Sequence, residues 1–182
     1  MLANIVLNFL DWRLQEHGYR FVRYADDFVV LTQTHAQAEE ALDLVQRSLT
    51  ELGLSLSVDK THITTYGKGY SFLGFVLSVR SRNMRPKSVQ KFKDKVREIT
   101  RRKLNLDAEV ISKLNRVIRG TAQYFATSFS TCRERFHKLD SWIRMRLRAM
   151  KYKRRCLNDN KKMRVKVFVR LGLLSLESFC HS

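Results

Sequence analysis

The stretch from Phe21 to Val30, FVRYADDFVV, limits what this chain can fold into more than any other. Phe21, Val22 and Tyr24 lead into Ala25-Asp26-Asp27, and an apolar run from Phe28 to Leu31 leads out. Aromatic and β-branched flanks around a short polar step predict a β-hairpin with adjacent carboxylates at its tip. Like charges this close repel, and a divalent cation between them removes that cost. Mg²⁺ suits the role, since it prefers hard oxygen ligands and is commonly held by one or two carboxylates plus substrate phosphates. A polar hairpin turn is the plainer alternative, because aspartate is a common turn residue. The spacing alone leaves both open.

The segments around this hairpin carry their own periodicities. Residues 2–16 place Leu2, Ile5, Val6, Phe9, Leu10 and Leu14 at helical spacing, and Gly18 suits the end of that helix. Residues 35–53 predict a second helix with Ala38, Ala41, Leu42, Val45 and Leu49 as its stripe and Gly53 just past its end. Glu39, Glu40, Asp43 and Arg47 form its solvated face. Residues 54–58 alternate as a short strand that ends at Asp59-Lys60-Thr61. Residues 70–79, YSFLGFVLSV, predict a second hairpin, with Gly74 permitting a close backbone approach or a bulge. On a regular strand Phe72 and Phe75 point to opposite sides.

These segments together resemble a known family. Tyr24-Ala25-Asp26-Asp27 between apolar strands is similar to the catalytic hairpin of reverse transcriptases. Leu2-Ala3-Asn4-Ile5-Val6-Leu7 resembles the palm helix of group II intron reverse transcriptases. Leu54 to Ile63 and Phe72-Leu73-Gly74-Phe75 resemble the next two palm motifs in the right order, and residues 86–182 resemble the thumb and maturase-specific region more diffusely. The resemblance is thus to the C-terminal part of a group II intron-encoded reverse transcriptase/maturase. It implies an α+β fold, a partial palm over residues 1–85 followed by a helical thumb/maturase bundle over residues 86–182. Family members carry a further metal-binding aspartate ahead of the matched segment. An N-terminally truncated form that does not polymerise alone is therefore expected, paired with a missing N-terminal half or with itself as a homodimer.

The chemistry implied is nucleotidyl transfer to a primer 3′-hydroxyl, with Mg²⁺ as cofactor. Asp26 would be the main metal ligand, with Asp27 beside it as second ligand or electrostatic support. Tyr24 and Ala25 would abut the primer end and the incoming deoxynucleotide triphosphate. Lys60 takes the place of a lysine assigned to proton donation toward pyrophosphate, the plain alternative being an exposed lysine in a turn. Phe72, Leu73 and Gly74 would form the primer grip, although Phe72 and Phe75 equally suit a core.

Charge placement supplies an argument independent of the family. Residues 1–80 hold 7 Lys+Arg and 9 Asp+Glu, whereas residues 81–182 hold 28 against 8, a net of +20. Solubility does not require so large an excess, and a polyanion, nucleic acid first, is the expected partner. No run reaches the roughly 18 apolar residues of a spanning helix, and residues 1–15 lack the features of a signal peptide. No membrane partner is therefore expected. Cys132, Cys156 and Cys180 stand too far apart for a disulfide framework or zinc site to follow. An intracellular setting, bacterial cytoplasm or organelle and not secreted, is expected.

Within the basic half, residues 80–85 predict a polar linker, and Pro86 stands where a helix should begin. Its stripe is Val89, Phe92, Val96 and Ile99. A second helix starts near Asp107 as N-cap and buries Val110, Leu114, Val117, Ile118 and Phe125. Thr131 and Glu134 have capping-box spacing for a third, which buries Phe136, Leu139, Ile143, Leu147 and Met150. Residues 151–166 read as flexible basic arms, and Val165 to Leu176 as a segment that docks on the bundle. Lys91, Lys95, Arg101, Arg102, Arg144, Arg148, Lys151, Arg154 and Arg155 are the candidate RNA contacts. Two functions fit the chain: RNA-directed DNA synthesis with intron RNA, template–primer and DNA as partners, or RNA binding through this half as a splicing maturase without polymerase activity. A decayed remnant with neither is the third reading.

Overall fold

The structure, a computed structural model, describes residues 2–180, with side chains from Asn4 onward. Leu2, expected in the first helical stripe, lies outside the described side chains. The chain divides into two compact units, Met1–Leu73 and Gly74–Ser182. Among the described residues no helix is long and apolar enough to cross a membrane.

The first unit is built on two helices and a hairpin. Helix α1 spans Leu2–Glu16, strands β1 and β2 span Arg20–Tyr24 and Asp27–Leu31, and helix α2 spans His35–Glu51. Gly18, at φ +73°, closes α1, and Tyr19 N–H donates back to the Leu14 carbonyl. Thr34 starts α2 with a reciprocal capping box, its hydroxyl accepting from Gln37 N–H while the Gln37 side chain accepts from Thr34 N–H. Leu7, Leu10 and Leu14 meet Leu44, Val45 and Leu49 in a small core, with Phe21, Phe28, Val30 and Leu56 packed at its edge. Each such aliphatic side chain contributes about 1.5–3 kcal/mol when taken fully out of water.

Two expectations for this unit are corrected. The buried stripe of α1 is Leu7, Leu10 and Leu14, while Ile5 and Val6 are exposed. The hairpin and α2 cover the leucine face, and the periodicity alone did not say which of two adjacent apolar faces would be covered. Residues 54–58 form no strand, having no ladder partner. Ser57 instead accepts from Lys60 and Thr61 N–H in a turn. Strand β3 follows at Tyr70–Phe72.

The second unit opens with β4 (Phe75–Leu77) and β5 (Arg82–Met84), paired antiparallel with Phe75 opposite Met84. Residues 82–84, expected in a linker, are therefore a strand. The division between units accordingly falls before β4, earlier than the expected boundary at residue 85, because Phe75 and Met84 are both buried in this unit's core. Leu73 and Gly74, at φ +47° and +81°, make the backbone step from β3 to β4. A Cβ on Gly74 would stand 3.3 Å from the Ser88 hydroxyl and 3.4 Å from the Phe125 ring, so close approach is its role here.

Three long helices build the bundle: α3 (Pro86–Ile99), α4 (Ala108–Phe125) and α5 (Arg133–Lys151). Pro86 lies in the first turn of α3, and Asp107 caps α4 by accepting from Val110 N–H at 2.8 Å. The expected stripes are buried, joined by Ile111 and Ala122 from α4, with Ile99 and Val117 only partly covered. The capping box expected at Thr131 and Glu134 does not form. Thr131 Oγ1 accepts from Arg82 N–H at 3.0 Å, and Glu134 pairs with Lys138 one turn on, because β5 claims the threonine first. Residues 151–166 are not free arms: they hold a short helix α6 (Asp159–Lys162), with Asp159 and Met163 buried. Helix α7 (Val165–Arg170) docks through Phe168, and the tail docks through Leu176. Buried Asp140 fixes that tail by accepting from Ser175 Oγ at 2.6 Å, Leu176 N–H at 2.9 Å and Glu177 N–H at 3.1 Å.

Candidate functional site

The hairpin tip is a two-residue loop, Ala25-Asp26, with Tyr24 paired to Asp27 across it. Side chains alternate in a strand, so Val22, Tyr24, Asp27 and Val29 share the outward face, while Phe21, Arg23, Phe28 and Val30 share the inward one. Asp26 and Asp27 are both exposed. Among the described residues neither carboxylate has a hydrogen bond or ion pair. Tyr24 stands beside them, 67% exposed.

Arg23, which sequence reasoning passed over, positions this loop. Its guanidinium makes a two-pronged contact with Asp11 of α1, Nε to Oδ1 at 2.8 Å and Nη2 to Oδ2 at 2.5 Å. Its Nη1 donates to the Ala25 carbonyl at 2.9 Å and to Asn4 Oδ1 at 3.0 Å. The hydrogen bonds to Asp11 push the Arg23 pKa above its ordinary value. Ala25 has φ +55°, a left-handed conformation that costs a non-glycine residue roughly 1–2 kcal/mol. One side chain thus ties a strained turn to a helix. A sequence signal existed: Asp11 falls at the i+4 position from Leu7, a charge beside the buried stripe.

The two carboxylates fit part of a Mg²⁺ site. They are hard oxygen donors, adjacent, open to solvent and unpaired. Among the described residues no group of three or more His, Cys, Asp or Glu gathers where an ion could be held. Protein ligands of this number suit Mg²⁺ when substrate phosphates complete the shell. Lys60 is exposed, and its N–H belongs to the Ser57 turn. Phe72 and Leu73 are half-buried, and Gly74 lies close against Ser88 and Phe125.

In the second unit the candidate RNA contacts divide by environment. Lys91, Lys95, Arg101, Arg102, Lys151, Arg154 and Arg155 are exposed. Arg144 and Arg148 are half-buried. Arg148 Nε donates to the Met163 carbonyl at 2.9 Å, and its guanidinium lies 5.1 Å from the Phe168 ring centre. Burial, and then the neighbouring charge of Arg144, lower its pKa. Arg154 reaches the buried carboxylate of Asp159 at 3.3 Å, which raises the arginine's pKa. Arg144, Arg148, Arg154 and Arg155 come together around a cleft of about 670 Å³. Arg146 instead folds inward, donating to the Thr100 hydroxyl at 3.0 Å and carbonyl at 2.8 Å. Burial, with Arg102 and Arg97 nearby, lowers its pKa.

A palm-like carboxylate hairpin in one unit and a basic helical bundle in the next define a nucleic-acid-handling protein. Comparison with known families agrees in both parts. Residues 1–77 match the reverse transcriptase (RNA-dependent DNA polymerase) family, and residues 89–168 match the group II intron, maturase-specific domain. No curated protein matches the chain. The two matched segments, in this order, make the chain a member of the group II intron reverse transcriptase/maturases.

Proposed function

We propose that this chain engages intron RNA through the second unit and contributes the hairpin carboxylates to RNA-directed DNA synthesis. The observation that carries the first part is charge: a net of +20 over residues 81–182, with seven of the nine candidate contacts exposed. Basic side chains on a folded bundle track a phosphate backbone and set register without reading sequence. RNA binding is the activity for which the chain has the fuller equipment.

For synthesis, Asp26 and Asp27 would hold Mg²⁺, which when bound activates an attacking oxygen and stabilises a leaving one. Arg23 keeps both carboxylates at the tip of the loop. Tyr24, on the same face as Asp27, is the surface against which the primer end and an incoming deoxynucleotide would lie. Lys60 would supply a proton to departing pyrophosphate, and Phe72 to Gly74 would support the primer. Because only two carboxylates are gathered among the described residues, this chain alone is expected to incorporate no labelled nucleotide on a primed RNA template. Incorporation that Asp26→Asn abolishes would overturn that expectation and show a complete site.

The RNA-binding part is tested by titrating structured intron RNA at several salt concentrations. Released counterions give a log–log slope of about −0.7 to −0.9 per phosphate contact, so several contacts predict roughly −4 or steeper. A salt-insensitive affinity would remove the basic bundle from the interface.

A further inference from the structure

We propose that the cleft between the C-terminal half of α5 and residues 154–165 takes one unpaired RNA nucleotide, base inward and phosphates outward. The inference rests on the reading that the second unit binds RNA, and adds what part of the RNA is bound. A duplex backbone requires only a charged surface. Here the basic surface encloses a cleft of about 670 Å³, within the range of pockets that hold small ligands. Arg144, Arg148, Arg154 and Arg155 line it, so several phosphate-binding groups converge on one spot.

Its wall is apolar. Met145, Leu157 and Val165 line the same cleft, and Leu157 is 85% exposed, so its side chain is open to a ligand. Apolar side chains beside arginine guanidinium groups suit a splayed base, and single-stranded RNA is read through such extruded bases. The floor sets the orientation. Asp159 is 1% exposed, its Oδ1 accepts from Arg154, and its Oδ2 has no hydrogen-bond partner among the described residues. A buried carboxylate repels phosphate and accepts N–H groups, which base edges offer and phosphates lack. The phosphates therefore stay on the arginines and the base points in.

The test uses the full chain and labelled RNA hairpins with one stem: fully paired, carrying one bulged nucleotide, or carrying an abasic residue at the bulge. The parent is expected to bind the bulged hairpin roughly tenfold more tightly than the abasic one, the scale of burying part of one base face against apolar side chains. Leu157→Ser, a charge-neutral variant at an exposed position, strips the wall of the cleft. It should erase the preference while leaving paired-hairpin affinity and its salt dependence as in the parent. Equal binding of bulged and abasic hairpins, or a preference that survives Leu157→Ser, would overturn the proposal and leave RNA binding standing. If the parent binds no hairpin in a salt-dependent way, the RNA-binding reading falls and the cleft proposal with it.

Discussion

At the tip of the first hairpin, Ala25 holds a left-handed conformation that glycine or asparagine would take more readily, and Arg23 holds it there. Its bonds to Asp11 are charge-assisted and partly shielded, and hydrogen bonds to charged groups contribute about 1.5–3 kcal/mol each when lost from such a setting. Arg23→Ala should therefore speed amide hydrogen exchange in β1 and β2 by at least an order of magnitude, with α2 less affected. Unchanged hairpin exchange would mean the turn needs no anchor. A second residue-level case lies at the tail, where His137 and then Arg133 hold the Glu177 carboxyl below its ordinary value of 4.5. A carboxylate whose folded pKa is lowered stabilises the fold above its unfolded value, and this is lost as pH falls through the folded one. Melting temperature should thus decline below about pH 4.5 in the parent and decline less steeply in Glu177→Gln. Parallel acid limbs would remove this pair from the stability of the tail.

Helix α5 shows why a start signal depends on what else competes for it. Thr131 and Glu134 have the spacing of a capping box, yet the threonine hydroxyl satisfies Arg82 N–H in β5 and its own N–H donates to the Arg82 carbonyl. A side chain far along the chain can be a better partner than the adjacent helix end once the fold brings it close. Thr131→Val should cost about 1 kcal/mol by orphaning the Arg82 amide, whereas Glu134→Gln should stay within about 0.5 kcal/mol. Comparable losses in chemical denaturation would restore the capping box. The stripe of the same helix was legible because 3.6-residue periodicity needs no partner to be recognised. Leu147 is fully buried among the three long helices, and Leu147→Ala should cost about 2–5 kcal/mol.

For the whole molecule the governing quantity is the uneven charge. Reversing Lys91, Lys95 and Arg155 together should weaken RNA binding and flatten its salt slope with the fold intact, since all three are exposed. Arg148 does not belong in that set, because its guanidinium holds the Met163 carbonyl and its reversal would disturb the junction of α5 and α7. Circular dichroism alongside the titrations separates the two effects. A triple variant that binds like the parent would place the RNA on another face. The exposed Ile5, Trp12, Val22 and Val58 of the first unit belong to the same scale: they are apolar groups that its own small core does not cover.

The linear sequence determined the hairpin and its paired aspartates, the long helices with their buried stripes, and the concentration of basic residues in one half. These follow from period, turn chemistry and composition, all of which act locally. Tertiary structure alone decided the partners. It set Arg23 against Asp11, diverted Thr131 to β5, turned Arg146 inward, and gathered four arginines around buried Asp159. Local rules could not foresee these choices, because each depends on which distant backbone groups arrive unsatisfied and which faces are covered. The same reason moved the end of the first unit ahead of β4: Phe75 and Met84 belong with the core that buries them, whatever the polarity of the residues between them.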